Sequence, residues 1–290
     1  MGPVPVVLFA YSRADCLRRT LDCLRLNGIP RLLVFSDGPK TSEQGRRVDE
    51  VRRLVRSIDW TEVSLIERPE NLGLGASIRA GVAEALEQFE AVLVFEDDLE
   101  CVPGTYAWLS AALEAYRDDA AVMSVTGWTH PRVTPRGVEG PYLDGRAECL
   151  AWGTWRRSWR GMDRSALELI DECERNGVDP YRYGKDLVDM AAQERKRNLW
   201  AVRWTYHHMA QRGLCVRPPH SLVNHIGLGE GATNAGGAVE WTLPRLADCP
   251  PLPRSWPRPP EHPDCARLWR RACGEAGPLR RAFDRLKLRQ

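Results

Sequence analysis

Five consecutive residues, Glu96-Asp97-Asp98-Leu99-Glu100, follow directly on the apolar run 91–95. Carboxylates delivered by a buried strand offer hard oxygen ligands of the kind Mg²⁺ or Mn²⁺ uses when it also binds a diphosphate. A cation held there acts as a Lewis acid on a departing nucleoside diphosphate. The same acids would also suit the start of a helix, where negative charge meets the positive end of the dipole. Position favours the metal, because the run ends the fourth strand of a nucleotide-binding type of sheet. Two or three of Asp97, Asp98 and Glu100 could supply the ligands, and His225 in Val223-Asn224-His225-Ile226-Gly227 could complete the metal site from the second half. A lone histidine is more often structural than a ligand, so that reading stays open.

Other strand ends carry further polar residues. Tyr11-Ser12-Arg13 follows the first strand, where Arg13 can stack on a base or pair with a phosphate. Asp37, in the turn Ser36-Asp37-Gly38, can accept a hydrogen bond from a base N–H or cap its own backbone. The glycines of Asn71-Leu72-Gly73-Leu74-Gly75 lack the GxGxxG and P-loop patterns, and Arg79, a turn into the following helix, is the better donor contact. Trp128, Trp152 and Trp155 belong to a Trp-rich region that suits either a platform for a sugar ring or core packing.

Elements must hold these residues in place. The run 4–10 is apolar throughout, as expected of a strand buried on both faces. Leu17, Leu21 and Leu24 then repeat at helical spacing over 14–26. Strands over 32–35, 63–67 and 91–95 alternate with helices over 43–57 and 76–88, the pattern of an open, mostly parallel sheet. Beyond it a helix over 105–117 and a strand over 120–126 precede a Gly/Pro-rich stretch, 127–148, expected as loop with short β pieces. Helices are expected near 163–176 and 185–196 and over 200–211. The reading divides the chain into one domain over 1–243, with a nucleotide half 1–128 and an acceptor half 129–243. A proline-rich connector over 244–265 and a basic amphipathic helix over 266–290 follow.

Composition bounds the alternatives. The chain has 290 residues, 43% of them hydrophobic, and a net charge of +2, which argues against a nucleic-acid binder with a broad basic footprint. Positive charge is almost all arginine, a bias that points to a GC-rich bacterial genome. Nine scattered cysteines form no CxxC pair, which fits a reducing cytoplasm. No signal peptide or membrane span is expected. The basic C-terminal helix, with Leu268, Leu279, Phe283 and Leu286 among its arginines, leaves peripheral membrane contact open.

Tyr11-Ser12-Arg13, Ser36-Asp37-Gly38, the acidic run 96–100, Ser124-Val125-Thr126-Gly127-Trp128 and Trp152-Gly153-Thr154-Trp155 together resemble a glycosyltransferase of the GT-A fold. Within that fold they are similar to the N-acetylglucosaminyltransferase I group and to bacterial family 2-like sugar transferases. The likeness covers about residues 4–128 and extends more weakly to about residue 235. It implies an α/β fold with a mostly parallel central sheet flanked by helices. It also implies a metal-dependent, inverting transfer from a nucleotide-diphosphate sugar, here expected to be a UDP-sugar, with Mn²⁺ or Mg²⁺ as cofactor. The acceptor would be a glycan, a lipid-linked or a small-molecule hydroxyl. By the same resemblance Arg13 and Asp37 contact the nucleotide, Asp97 the ribose or sugar, and Asp98 the metal, the acidic run serving as a DXD-type motif; Tyr11, at the end of the first strand, and Arg79, past the Gly-rich loop, are donor-side candidates by position.

That family sets an aspartate base in a Trp-Asp-Asp-Trp element, whereas Trp200-Ala201-Val202-Arg203-Trp204 contains no acid. Deprotonating an acceptor hydroxyl needs a carboxylate within hydrogen-bond reach. Either Asp144 or Glu148 supplies it, Glu148 being favoured because it precedes the aromatic run, or the stereochemistry differs. The missing acid also admits a catalytically silent nucleotide-sugar or glycan-binding protein. A sugar-1-phosphate nucleotidyltransferase shares a related sheet but usually carries a Gly-rich loop with Arg-Lys after its first strand, which Tyr11-Ser12-Arg13-Ala14 is not.

Overall fold

Strand β1 (Val6–Ala10) is apolar and buried along its whole length, and helix α1 (Ala14–Leu26) turns Leu17, Leu21 and Leu24 inward onto it. They belong to a computed structural model that describes residues 2–197, 199–227 and 246–288; side chains at 195, 197 and 285–288 fall outside that description. The alternation continues through β2 (Arg31–Ser36), α2 (Ser42–Arg56), β3 (Glu62–Glu67), α3 (Leu74–Gln88) and β4 (Ala91–Glu96), as the hydrophobic periodicity predicts. β1 pairs in parallel with β2 and β4, and β2 with β3. The carboxyl ends of all four strands therefore open on one edge, where ligands bind in sheets of this kind.

The second half extends the same sheet. Its elements are β5 (Leu99–Cys101), α4 (Thr105–Ala115), β6 (Val122–Thr126), β7 (Tyr142–Asp144), β8 (Trp152–Trp155), α5 (Arg156–Trp159), α6 (Ala166–Arg175), α7 (Asp186–Arg197), α8 (Trp200–Ala210) and β9 (Leu214–Arg217), followed by β10 (Val223–His225). Eight strands form the order β3-β2-β1-β4-β8-β6-β9-β7, and β10 pairs with β5 in a separate ribbon. β8 runs antiparallel between β4 and β6, which makes the sheet mixed at its centre and parallel on its first side. The expected α/β architecture is thus present.

Alternation along the strands sorts the core into two layers. Val7, Phe9, Val92, Val94 and Trp152 face α3 and α8, against Ile78, Val82, Trp200 and Trp204. Val6, Leu8, Leu93, Phe95 and Trp155 face the opposite layer, with Leu17, Leu21, Trp108 and Leu109 from α1 and α4. Placing β8 in mid-sheet corrects the reading of its tryptophans as an acceptor platform. Trp152 and Trp155 are 1% and 2% exposed, one in each layer, and Trp152 lies 5.2–5.7 Å from the rings of Trp159, Trp200 and Trp204. Trp128 is buried as well, edge-on to His130 at 5.6 Å. All three are core residues.

The junction expected at 243/244 lies outside the described residues. From 246 to 264 the chain has no regular element; Trp256 packs edge-on against Trp108 at 5.4 Å and Tyr116 at 6.1 Å, so this segment straps the α4 side of the molecule. The single basic helix expected over 266–290 is two helices, α9 (Cys265–Cys273) and α10 (Pro278–Leu288). They are separated at Gly274, whose φ of +84° suits glycine. All nine cysteines are free. Among the described residues no helix is long and apolar enough to cross a membrane.

Candidate active site

The acidic run leaves β4 at the open edge of the sheet. Asp97 Oδ2 accepts the backbone N–H of Tyr11 at 2.9 Å, which ties the end of β4 to the end of β1. Burial, then the negative charge of Asp98, raises the Asp97 carboxyl to about 7, while the Tyr11 N–H and Arg13 act against the rise. Burial and the charges of Asp98 and Asp97 push Glu96 well above the usual carboxylate range. Three acids are thus crowded where Arg13 is the facing cation, and such a cluster favours added positive charge.

Asp98 is the meeting point. Its Oδ2 lies 3.5 Å from Arg13 Nη1 and 3.4 Å from His225 Nε2. Long-range pairing brings His225 there: β10 runs antiparallel to β5 with His225 opposite Leu99, and Ile226 N–H donates to the Asp98 carbonyl at 2.9 Å. Asp98 Oδ1 and His225 Nδ1 are both buried without a hydrogen-bond partner among the described residues. Buried polar atoms are rarely left so, and a carboxylate beside an imidazole is a donor set that suits a divalent cation. Gly227, which follows β10, closes the site on its remaining side. A Cβ there would stand 2.0 Å from Asp98 Oδ2 and 2.7 Å from Arg13 Nη1, and its carbonyl accepts from Arg13 at 3.0 Å. Its signal in the sequence is only a glycine following the His225 strand.

Glu100 departs from expectation. Its carboxylate accepts from Arg19 Nε of α1 at 2.6 Å on the surface. Among the described residues no third carboxylate, imidazole or thiol joins Asp98 and His225 in a cluster tight enough to share an ion.

Asp37 is 6% exposed, and its oxygens accept the N–H groups of Leu72 and Gly73 at 3.1 and 2.9 Å, at the start of α3. That is the backbone-capping role, and each carboxylate oxygen retains a further lone pair. Arg52, which sequence reasoning missed, secures this turn from α2 by donating to the carbonyls of Ser36, Asp37 and Arg68 at 3.3, 3.4 and 2.8 Å. Gly38 is required because a Cβ would stand 2.5 Å from the Pro69 carbonyl oxygen. Tyr11 O–H donates to Gln44 Oε1 at 2.7 Å. Arg79 is half-buried, its guanidinium pKa lowered by that burial.

On the far side of β4 the two candidate bases separate. Asp144 has no exposed surface. Its Oδ1 accepts from Arg146 N at 3.0 Å, and its Oδ2 from Arg217 Nε at 2.7 Å and Trp269 Nε1 at 2.8 Å. It anchors α9, both of its oxygens engaged within the core. Glu148 accepts from Cys149 N at 2.9 Å and stands 3.9 Å from Arg217 Nη1. The Cys149 thiol is pushed well up by burial and then by the negative charges of Glu148 and Glu96, so both glutamates neighbour one thiol. Arg203 of the acid-free stretch is held by Glu194 and by the Asp163 carbonyl.

Comparison with known proteins adds the following. The family model described as glycosyl transferase family 2 matches residues 6–160. An alpha-1,3-mannosyl-glycoprotein 2-beta-N-acetylglucosaminyltransferase of Arabidopsis thaliana is 26% identical over 174 residues, 55% of this chain and 39% of that protein. The chain therefore spans well under half of that relative's length. Among solved structures, a mannosyltransferase from Pyrobaculum calidifontis in complex with GDP-Man and Mn²⁺ has 17% identity and a TM-score of 0.45, over 79% of this chain and 58% of its own. The inositol-1-phosphate CTP transferase from T. maritima has 10% identity and a TM-score of 0.32, over 55% and 73%.

Proposed function

We propose that this chain, which belongs to glycosyl transferase family 2 and has the GT-A type of fold, transfers a sugar from a nucleotide-diphosphate donor, a UDP-sugar in the first instance. The acceptor is a hydroxyl of a glycan, a lipid-linked or a small molecule. The observation that carries the reading is the convergence of Arg13, Asp98 and His225 at the carboxyl ends of β1 and β4. Residues 1–128 form the nucleotide half in this proposal, and 129–243 the acceptor half.

Asp98 and His225 hold a divalent cation, and the mixed oxygen and nitrogen donors suit Mn²⁺ at least as well as Mg²⁺. When bound, such an ion offsets charge on the departing nucleoside diphosphate. Arg13, released from the Gly227 carbonyl, pairs with a phosphate oxygen. Asp37 uses its spare lone pairs on the base, Asp97 meets the ribose or sugar, and Tyr11 and Arg79 border the donor. Glu148, rather than the fully engaged Asp144, takes the acceptor proton as the hydroxyl attacks the anomeric carbon.

Thermal shift and hydrolysis assays on a panel of UDP-, GDP- and dTDP-sugars with Mn²⁺ test this reading. Stabilisation by at least one donor, and slow metal-dependent hydrolysis of it, are expected. Neither binding nor hydrolysis across the panel would refute it. A second reading, a nucleotide-sugar binder without turnover, draws on the acid-free stretch 200–204; donor binding without hydrolysis or transfer would favour it.

A further inference from the structure

Helix α10 is docked by its polar face. The Asp284 carboxylate, 5% exposed, accepts from Tyr181 O–H at 2.9 Å and from Arg280 Nε at 2.7 Å. Arg280 also pairs with Asp189 of α7. Arg281 donates to both oxygens of Asp179 at 3.1 and 3.0 Å and lies over the Tyr181 ring. The apolar stripe points the other way: Leu279 is 90% exposed and Phe283, one turn on, is 62% exposed. Ala282 between them is exposed too. An amphipathic helix serving only its own domain turns that stripe inward. Here side-chain polar contacts hold the helix while Leu279 and Phe283 stand in water.

Charge indicates what meets them. Residues 267–290 contain eight arginines and lysines against two acids, a net +6 that falls to +3 once Asp264, Asp189 and Asp179, the partners of Arg267, Arg280 and Arg281, are counted, in a chain whose total is +2. We infer that α10 seats Leu279 and Phe283 in the headgroup layer of a membrane that contains anionic phospholipid. Apolar side chains on a strongly basic helix bind such surfaces by burial and electrostatic attraction together. A second copy of this chain is the poorer occupant. It would set the same positive segment against itself, and two side chains cover far less than the ~800 Å² per partner of a stable interface. The inference requires neither donor nor metal, so it stands apart from the proposed transfer.

Flotation of the full chain with phosphatidylcholine vesicles, with and without about 30 mol% phosphatidylglycerol, tests it. The protein is expected to float with the anionic vesicles, not with the neutral ones, and to do so less at high salt. The double variant L279S/F283S should lower partitioning about tenfold or more with its melting temperature unchanged, since both side chains are exposed. Failure of the wild type to float, equal flotation with neutral vesicles, or equal flotation of the double variant overturns the inference. So does a dimer by light scattering that the double variant converts to monomer, which would make a second copy the occupant.

Discussion

Asp98 Oδ2 and His225 Nε2 stand 3.4 Å apart although 126 residues separate them in the chain. The β5–β10 ribbon makes the encounter, and each partner has a second buried polar atom that no described residue satisfies.

Asp98→Asn should abolish metal-dependent stabilisation by the nucleotide sugar while leaving the fold intact, because it keeps the shape and removes the charge. Glu100→Gln should leave donor affinity within about twofold, since it breaks only an exposed pair with Arg19 of the kind contributing about 0–1 kcal/mol. Calorimetric titration of both variants with Mn²⁺ and donor checks this. Equal losses in the two would place Glu100 in the site after all.

Gly227→Ala is predicted to weaken donor binding by about tenfold or more, through the clash of its Cβ with Asp98 and Arg13 and the off-rotamer displacement that follows. Its global melting should move little. A variant that binds donor as well as the parent would show that Arg13 and Asp98 can part freely.

Asp144→Ala should cost about 3–5 kcal/mol of stability, because it strands the fully buried Arg217 guanidinium. Glu148→Gln should instead fold normally and lose transfer by about a hundredfold or more, with donor affinity retained. Urea unfolding and single-turnover assays separate the two. Full transfer by Glu148→Gln removes it as the base.

A pH dependence of stability follows from buried histidines. Burial lowers His208 from 6.5 to about 3 and His130 to about 4; for His208 the neighbouring His207 adds to the effect, and for His130 Arg132, Arg146 and Arg217 do. Below 6.5 the unfolded chain takes up protons that the folded one refuses, so stability falls as pH falls from 6.5 toward 4. Each histidine contributes about 1.4 kcal/mol per pH unit over that window. His208→Gln can keep partners in Ser124 and the Trp204 carbonyl and should reduce the slope of the urea midpoint against pH. An unchanged slope would count against the neutral buried ring.

Residue order alone carried the βα alternation of the first half, because β1, β2 and β4 hold continuous apolar runs, the shorter apolar positions of β3 lie between two helical stretches, and the helices repeat at 3.6-residue spacing, all local signals. It also carried the position of the acidic run at the end of β4 and of Arg13 at the end of β1. Tertiary structure decided what covers each surface. A tryptophan run reads alike whether it borders a sugar or fills a core, and the insertion of β8 between β4 and β6 put Trp152 and Trp155 inside. In the sequence Glu148 has only its place before the aromatic run to set it above Asp144, four residues away, whereas in the fold Arg217 and Trp269 from distant segments close on Asp144. Glu100 turned to Arg19 and His225 came to Asp98 for the same reason: periodicity encodes which face of an element is apolar, whereas the partner of a polar side chain depends on segments the chain brings together only on folding.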